Sequence, residues 1–450
     1  MARPHDREIL RLAVPAFLAL VAEPLFLLAD AAIIGHLGTA QLAGLGIAAV
    51  ILQTAIGLCV FLAYGTTASV ARLLGAGNRR AALTQGMDGV WLAVAIGTLT
   101  TVAGVLLTDW LIGLFDPGET VAGYAATYLQ ISFLGTVPLL VMLAATGVLR
   151  GLQDTRTPLY VAVLGNVLNV LLNFALVYGV GPVPGLGIAG AAIGSVIAQV
   201  LSAAALLWVV GRAARTEHAS LRPHLAGVRR AARAGVALVI RTLTLRAALL
   251  VTTYAVVSTG ATGSPTTEVN LATHQLAMTL WTFLAFVLDA IAIAAQAITG
   301  RYLGAGDVTP TRAVTRRMLQ WGIGSGVVTG VLLAGVAPFI GVLFTPDQAV
   351  RDLLVPVLLV AALAQPVAGI VFVLDGVLIG AGDGAYLAWG GLAVLVAYAP
   401  VALLTATSGG GLVVLWVVFG AVFMGARCVV LLLRAHSDRW MVTGAPAVRP

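Results

Sequence analysis

Twelve apolar stretches, each long enough to carry a helix across a bilayer, constrain this chain more than any other feature. They fall at about 11–34, 41–71, 83–107, 121–149, 157–179, 186–211, 233–258, 269–300, 316–343, 349–380, 385–407 and 411–434. A helix rises about 1.5 Å per residue and a hydrocarbon core is about 30 Å thick, so about twenty apolar residues make one crossing. Several runs exceed that length, which implies tilt or helix that continues past the bilayer. Glycine and proline recur inside them, as membrane helices tolerate. A chain that is 60% hydrophobic and 10% charged, with mean hydropathy +1.02, is not a soluble globular protein. The expected fold is an all-α polytopic membrane protein of twelve transmembrane helices.

The arginines orient these spans. The chain has no lysine, so all 25 basic residues are arginine. Arg3, Arg7 and Arg11 precede the first span; Arg72, Arg79 and Arg80 follow the second; Arg150 and Arg156 follow the fourth. Six more, from Arg212 to Arg233, follow the sixth, and Arg301, Arg312, Arg316 and Arg317 follow the eighth. Arg427, Arg434, Arg439 and Arg449 close the chain. The alternate loops carry Asp109, Asp116, Glu119, Glu268, Asp347 and Asp352, with Arg351 their one base. This asymmetry places both termini in the cytoplasm, in an inner (plasma) membrane. It also accounts for the net charge of +7 without a nucleic-acid partner. The opening MARPHDREILRLAVPAF looks like a charged leader before an apolar run, but it has no cleavage site and reads as a retained first span.

The sequence repeats itself. ARLLGAGN (71–78) returns as GRYLGAGD (300–307), GVLRGLQD (147–154) as GVLIGAGD (376–383), and LFDP (114–117) as LFTP (343–346), all three at one constant offset. With the polar connector at 212–232, this divides the spans six and six, into lobes at 1–225 and 226–450. An even number of spans per repeat relates the lobes by a pseudo-two-fold axis along the membrane normal, with a cleft between them.

One acid stands inside the first span. Asp30 lies nineteen residues beyond Arg11, about 28 Å along a helix, in LLADAAIIGHLG. A carboxylate there costs about 2.5–3.5 kcal/mol on insertion scales, so it faces protein or water and not lipid. It either bonds a neighbouring helix or binds an ion on a transport path. Glu23, seven residues earlier, shares its face, with Pro24 between them. In the fifth span Asn166, Asn169 and Asn173 also share one face. In the second half, Arg241 and Arg246 of the seventh span, Asp289 of the eighth and Asp375 of the tenth are too costly to stand alone, which predicts mutual pairing. Gln199, Gln296 and Gln365 read as bonds between helices.

LADAAIIGHLG, GNVLNVLLNFALVYG with GIAGAAIGSVIAQ, IRTLTLR, FVLDAIAIAAQAITG and VLDGVLIGAG, in this order, resemble the multidrug and toxic compound extrusion (MATE) transporters, in particular their DinF-like branch. The resemblance runs from about Leu12 to Leu433. It implies a monomeric exporter of cationic or amphipathic compounds, driven by inward proton or sodium flow. It further implies an ion site at Asp30 with Asn169, Asn173 and Ser195, and a first-span hinge at Pro15. At Asn173 the family's second carboxylate has become a carboxamide, which leaves one formal negative charge unless Glu23 contributes. A carboxyl held away from water favours its neutral form, and this favours protons over sodium.

No enzyme signature is present. The six histidines are scattered and Cys59 and Cys428 lie in apolar runs, so neither a metal site nor a cofactor is expected. A phosphate-binding GxxxxGK[ST] loop is impossible without lysine, which excludes ATP-driven transport by this chain. A sodium-coupled exporter and a lipid-linked precursor flippase are the alternatives within transport. A membrane-embedded transferase would need a longer polar loop with paired acids.

Overall fold

A computed structural model describes residues 4–180, 183–259 and 265–444. The helices are α1 (Pro4–Gly35), α2 (Thr39–Leu58), α3 (Phe61–Gly75), α4 (Arg79–Leu106), α5 (Thr108–Gly113), α6 (Glu119–Leu134), α7 (Thr136–Gly151) and α8 (Arg156–Tyr178). There follow a short hairpin of β1 (Gly179–Val180) and β2 (Val183–Pro184), α9 (Ile188–Thr216), α10 (Leu225–Val257), α11 (Pro265–Gly304) and α12 (Val308–Phe344). Next come α13 (Gln348–Gly380), α14 (Gly384–Thr407), α15 (Leu412–Val418), a π-helical turn (Phe419–Met424) and α16 (Gly425–His436).

Each of the twelve apolar runs lies on a helix or a helix pair. Among the described residues, eleven crossings are long and apolar enough by themselves, and α6 with α7, bent by 47°, makes a twelfth. The bend falls at Gly135, where a Cβ would collide with the Gln199 side-chain oxygen of α9, so a neighbouring helix presses on the chain there. The helices overrun the apolar runs, and α11 reaches 40 residues.

The chain forms two compact units. One is Val14–Gly235; the other is Val236–Gly444 together with the chain up to Ala13. The division falls ten residues beyond the 225/226 boundary read from the connector, because the start of α10 packs on the first unit. The buried carboxylate of Asp88 on α4 accepts the backbone N–H of His224 at 2.9 Å, satisfying one of the open amides where α10 begins. Trp91 donates to the carbonyl of Leu221 at 2.9 Å. At the chain's start, Arg317 of α12 donates to both carboxylate oxygens of Asp6 at 2.5 and 2.8 Å, and Arg301 of α11 pairs with Glu8.

The sequence repeat is a repeat of helix ends. α3 stops at Gly75 and α11 at Gly304; α7 stops at Gly151 and α13 at Gly380. Every one of these ends carries the same paired reverse turn. Asn78 and Asp307 donate back to Leu73 and Tyr302 at 3.0 Å, and Asp154 and Asp383 to Leu149 and Leu378 at 2.8 and 2.9 Å. Such a turn requires a left-handed residue, supplied by Gly77 (φ 75°), Gln153 (φ 68°), Gly306 (φ 84°) and Gly382 (φ 76°). The GxxxG pairs Gly147/Gly151 and Gly376/Gly380 repeat for a second reason. A Cβ on Gly147 would collide with the carbonyl of Ala63 on α3, and one on Gly376 with that of Ala292 on α11. Both helix pairs therefore pack backbone to backbone, the close approach that small residues permit in membranes.

Candidate functional site

The polar residues of the first unit converge near the end opposite its arginines. Asp30 lies five residues before the end of α1, Asn173 five before the end of α8, and Ser195 seven after the start of α9. All three are buried, as is Asn169. They form one hydrogen-bonded chain. Asn173 donates through Nδ2 to Asp30 Oδ1 at 2.5 Å and to Asn169 Oδ1 at 2.7 Å, and Asn169 donates to Ser195 Oγ at 3.0 Å. Tyr128 of α6 donates its hydroxyl to Asp30 Oδ2 at 3.2 Å.

Local sequence explains the convergence. The i, i+4 spacing of Asn169 and Asn173 stacks their amides on one face of α8. Gly194 lets α9 approach that face, since a Cβ there would collide with Asn173 Oδ1. Asn166 donates to the carbonyl of Ala22 at 3.1 Å and Tyr178 to that of Ile33 at 2.8 Å, so α8 holds α1 on both sides of Asp30. Ile34 of α1, Ala48 of α2, Leu129 of α6 and Ala192 of α9 belong to one buried apolar cluster, so helices that supply the polar chain also share a core.

Two features set the electrostatics. Among the described residues no base pairs with Asp30, so its charge is met only by neutral donors. Asn173 has both amide hydrogens engaged, while its buried Oδ1 accepts nothing among the described residues. Glu23 is exposed and joins none of these bonds among the described residues. Pro15 is buried inside α1, which runs through it as one helix.

The acid of the second unit is held differently. Arg241 of α10 and Arg427 of α16 both donate to Oδ2 of Asp375 on α13, Arg427 at 2.8 Å. The Arg427 guanidinium also lies over the Phe423 ring, 5.6 Å from its centre. The expected pairing of Arg241 with Asp375 forms; pairing with Arg246 fails. Arg246 is exposed and makes no ion pair among the described residues. Five residues turn a helix by about 140°, which carries Arg246 off the face of Arg241. Asp289 is half-buried on α11. Arg427, grouped by sequence with the arginines that close the chain, supplies the second base, and Tyr128 is a residue that sequence reasoning misses. Both leave a signal: Arg427 stands inside the twelfth apolar run, and Tyr128 is a hydroxyl at the depth of Asp30 within the fourth.

Among the described residues, twelve apolar crossings in two units, with a buried acid met by a neutral polar chain, make a polytopic membrane protein. The chain belongs to the MatE family, whose model matches residues 15–175 and again 244–404, two matches in step with the internal repeat. It is 33% identical over 400 residues to Protein DETOXIFICATION 44, chloroplastic, of Arabidopsis thaliana, covering 85% of this chain and 73% of that one. To DNA damage-inducible protein F of Escherichia coli it is 29% identical over 379 residues, covering 84% and 81%. The fold matches a MOP superfamily transporter from Pyrococcus furiosus with TM-score 0.87 at 19% identity, covering 97% of this chain and 96% of that one.

Proposed function

We propose that this MATE transporter is a secondary antiporter that exports cationic or amphipathic compounds from the cell in exchange for inward protons, with Asp30 as the proton carrier. The observation that carries this reading is a buried carboxylate met by neutral donors and no base. An ion pair would hold the acid ionised; amide and phenol donors leave its charge open to exchange. Ionised, Asp30 accepts from Asn173 and Tyr128. Protonated, it must donate, and the unbonded Oδ1 of Asn173 is the acceptor that a turn of the amide presents. The exchange thus rewires the bonds between α1 and α8, which is how one proton biases the first helix. Glu23, exposed on the same face two turns nearer the arginines, relays the proton, and Pro15 is the flexing point.

The export reading draws on the names of relatives such as DETOXIFICATION 44 and the probable multidrug resistance protein NorM of Thermotoga maritima. Arginine placement supports a plasma-membrane protein with both termini on the cytoplasmic side. The two lobes act within a monomer. A single formal charge attracts sodium far less than the paired acids it replaces.

Efflux of ethidium from proteoliposomes under separately imposed proton and sodium gradients tests the ion. Export under the pH gradient alone is expected. Export that requires sodium would replace proton coupling, and export of neither ethidium nor other lipophilic cations would favour a flippase.

A further inference from the structure

A cavity of about 340 Å³ opens on the second unit, and Asp375 is not among its lining residues. Val287 of α11 forms one wall, and a stripe of α12 through Arg317, Gln320, Trp321, Gly324 and Val328 forms the other. Its polarity is graded. Arginine, glutamine and tryptophan lie at the arginine-rich end, and Gly324, Ser325, Val328 and Thr329 line the depth toward the bilayer centre, with the Thr329 hydroxyl turned back onto the carbonyl of Ser325 at 2.9 Å. From Arg317 to Val328 the stripe rises about 16 Å, half the thickness of a hydrocarbon core. That is the reach of one acyl chain in one leaflet. Gly324 leaves the trough empty, since a Cβ there would meet nothing within 4 Å. On the same helix Val327, Val331 and Leu332 are 46–66% exposed, which is the surface a helix shows to lipid and not to water.

The mouth carries surplus positive charge. Asp6 balances Arg317 and also accepts from Trp321 Nε1 at 2.9 Å, fixing this end of the groove. Arg316 beside Arg317, and Arg7 and Arg11 on the turns around Asp6, are exposed and have no acid partner among the described residues. Basic pockets between helices at this level of the membrane attract anionic headgroups.

We propose that this groove is a phospholipid site: one acyl chain lies along Gly324 between α11 and α12, and an anionic headgroup rests on the arginines at the mouth. The site is independent of Asp30 and of the coupling ion.

Native mass spectrometry of the full-length protein, given equal amounts of phosphatidylglycerol and phosphatidylcholine with matched chains, tests it. Wild type is expected to retain one phosphatidylglycerol in preference to phosphatidylcholine. Gly324→Leu fills the trough and should cut retention at least tenfold without lowering the melting temperature. Val328→Trp, at an exposed position, should give the same loss from the far end, which guards against a folding defect in the first variant. Arg316→Gln should keep the chain site but weaken the preference about fivefold, the ratio that about 1 kcal/mol per basic residue gives. Retention by both filled variants at the wild-type level would overturn the proposal. So would equal retention of the two lipids, or of none, by wild type.

Discussion

Two buried aspartates of this chain are solvated in opposite ways. Among the described residues, Asp375 has two arginines on one oxygen, and Asp30 has amide and phenol donors only. Removing one side of a buried ion pair strands the other and costs about 3–5 kcal/mol. Asp375→Asn should therefore lower the melting temperature and the folded yield sharply, read by thermal unfolding in detergent. Asp30→Asn, near-isosteric and without a stranded partner, should leave both almost unchanged. Much of this is legible in sequence, because a charge in an apolar run announces itself and counting rise from the helix ends sets its depth. The family resemblance groups Asn169, Asn173 and Ser195 with Asp30, helix rise agrees on their depth, and the cost of lone charges puts Arg241 with Asp375. What stays hidden depends on helix rotation. Arg246 groups with Arg241 by sequence although it points another way, Glu23 shares a face with Asp30 but no bond, and Tyr128 comes from a helix that carries no charge nearby to draw attention to it.

At the scale of elements, the helix ends are the clearest case of sequence dictating form. Gly77 and Gly306 recur at matching places in the two halves because both must be left-handed at a helix end. Gly306→Ala should cost about 1 kcal/mol, since its space is open and only the backbone is strained. Gly211→Ala, inside α9 and also with nothing within 4 Å of the new Cβ, should gain about 1 kcal/mol by helix propensity. Thermal unfolding of the two variants checks the opposite signs. Span number and order are legible, but the breaks within spans are not. The bend at Gly135 lies against Gln199 of another helix, and the π-turn at Phe419–Met424 follows no local pattern. The boundary of the first unit moves for the same reason: Asp88 and Trp91 draw the start of α10 onto it across more than a hundred positions of sequence.

At the scale of the molecule, the two family matches and the two sets of helix ends keep the same offset, so one repeat accounts for sequence, fold and family together. The proposed orientation, with both termini in the cytoplasm, has a direct test. A cysteine at exposed Thr216, in a chain with Cys59→Ala and Cys428→Ala, should react with an impermeant maleimide only after cells are permeabilised; labelling of intact cells would reverse the orientation. Export belongs to the whole molecule, and in the proposed mechanism it rests on one exchangeable proton. The most direct test is ethidium efflux from proteoliposomes under a pH gradient alone, comparing wild type with Asp30→Asn at equal folded protein. Wild type should export and the variant should fall to the rate seen without a gradient, because an amide cannot take up and release a proton; export by Asp30→Asn at the wild-type rate would contradict the account.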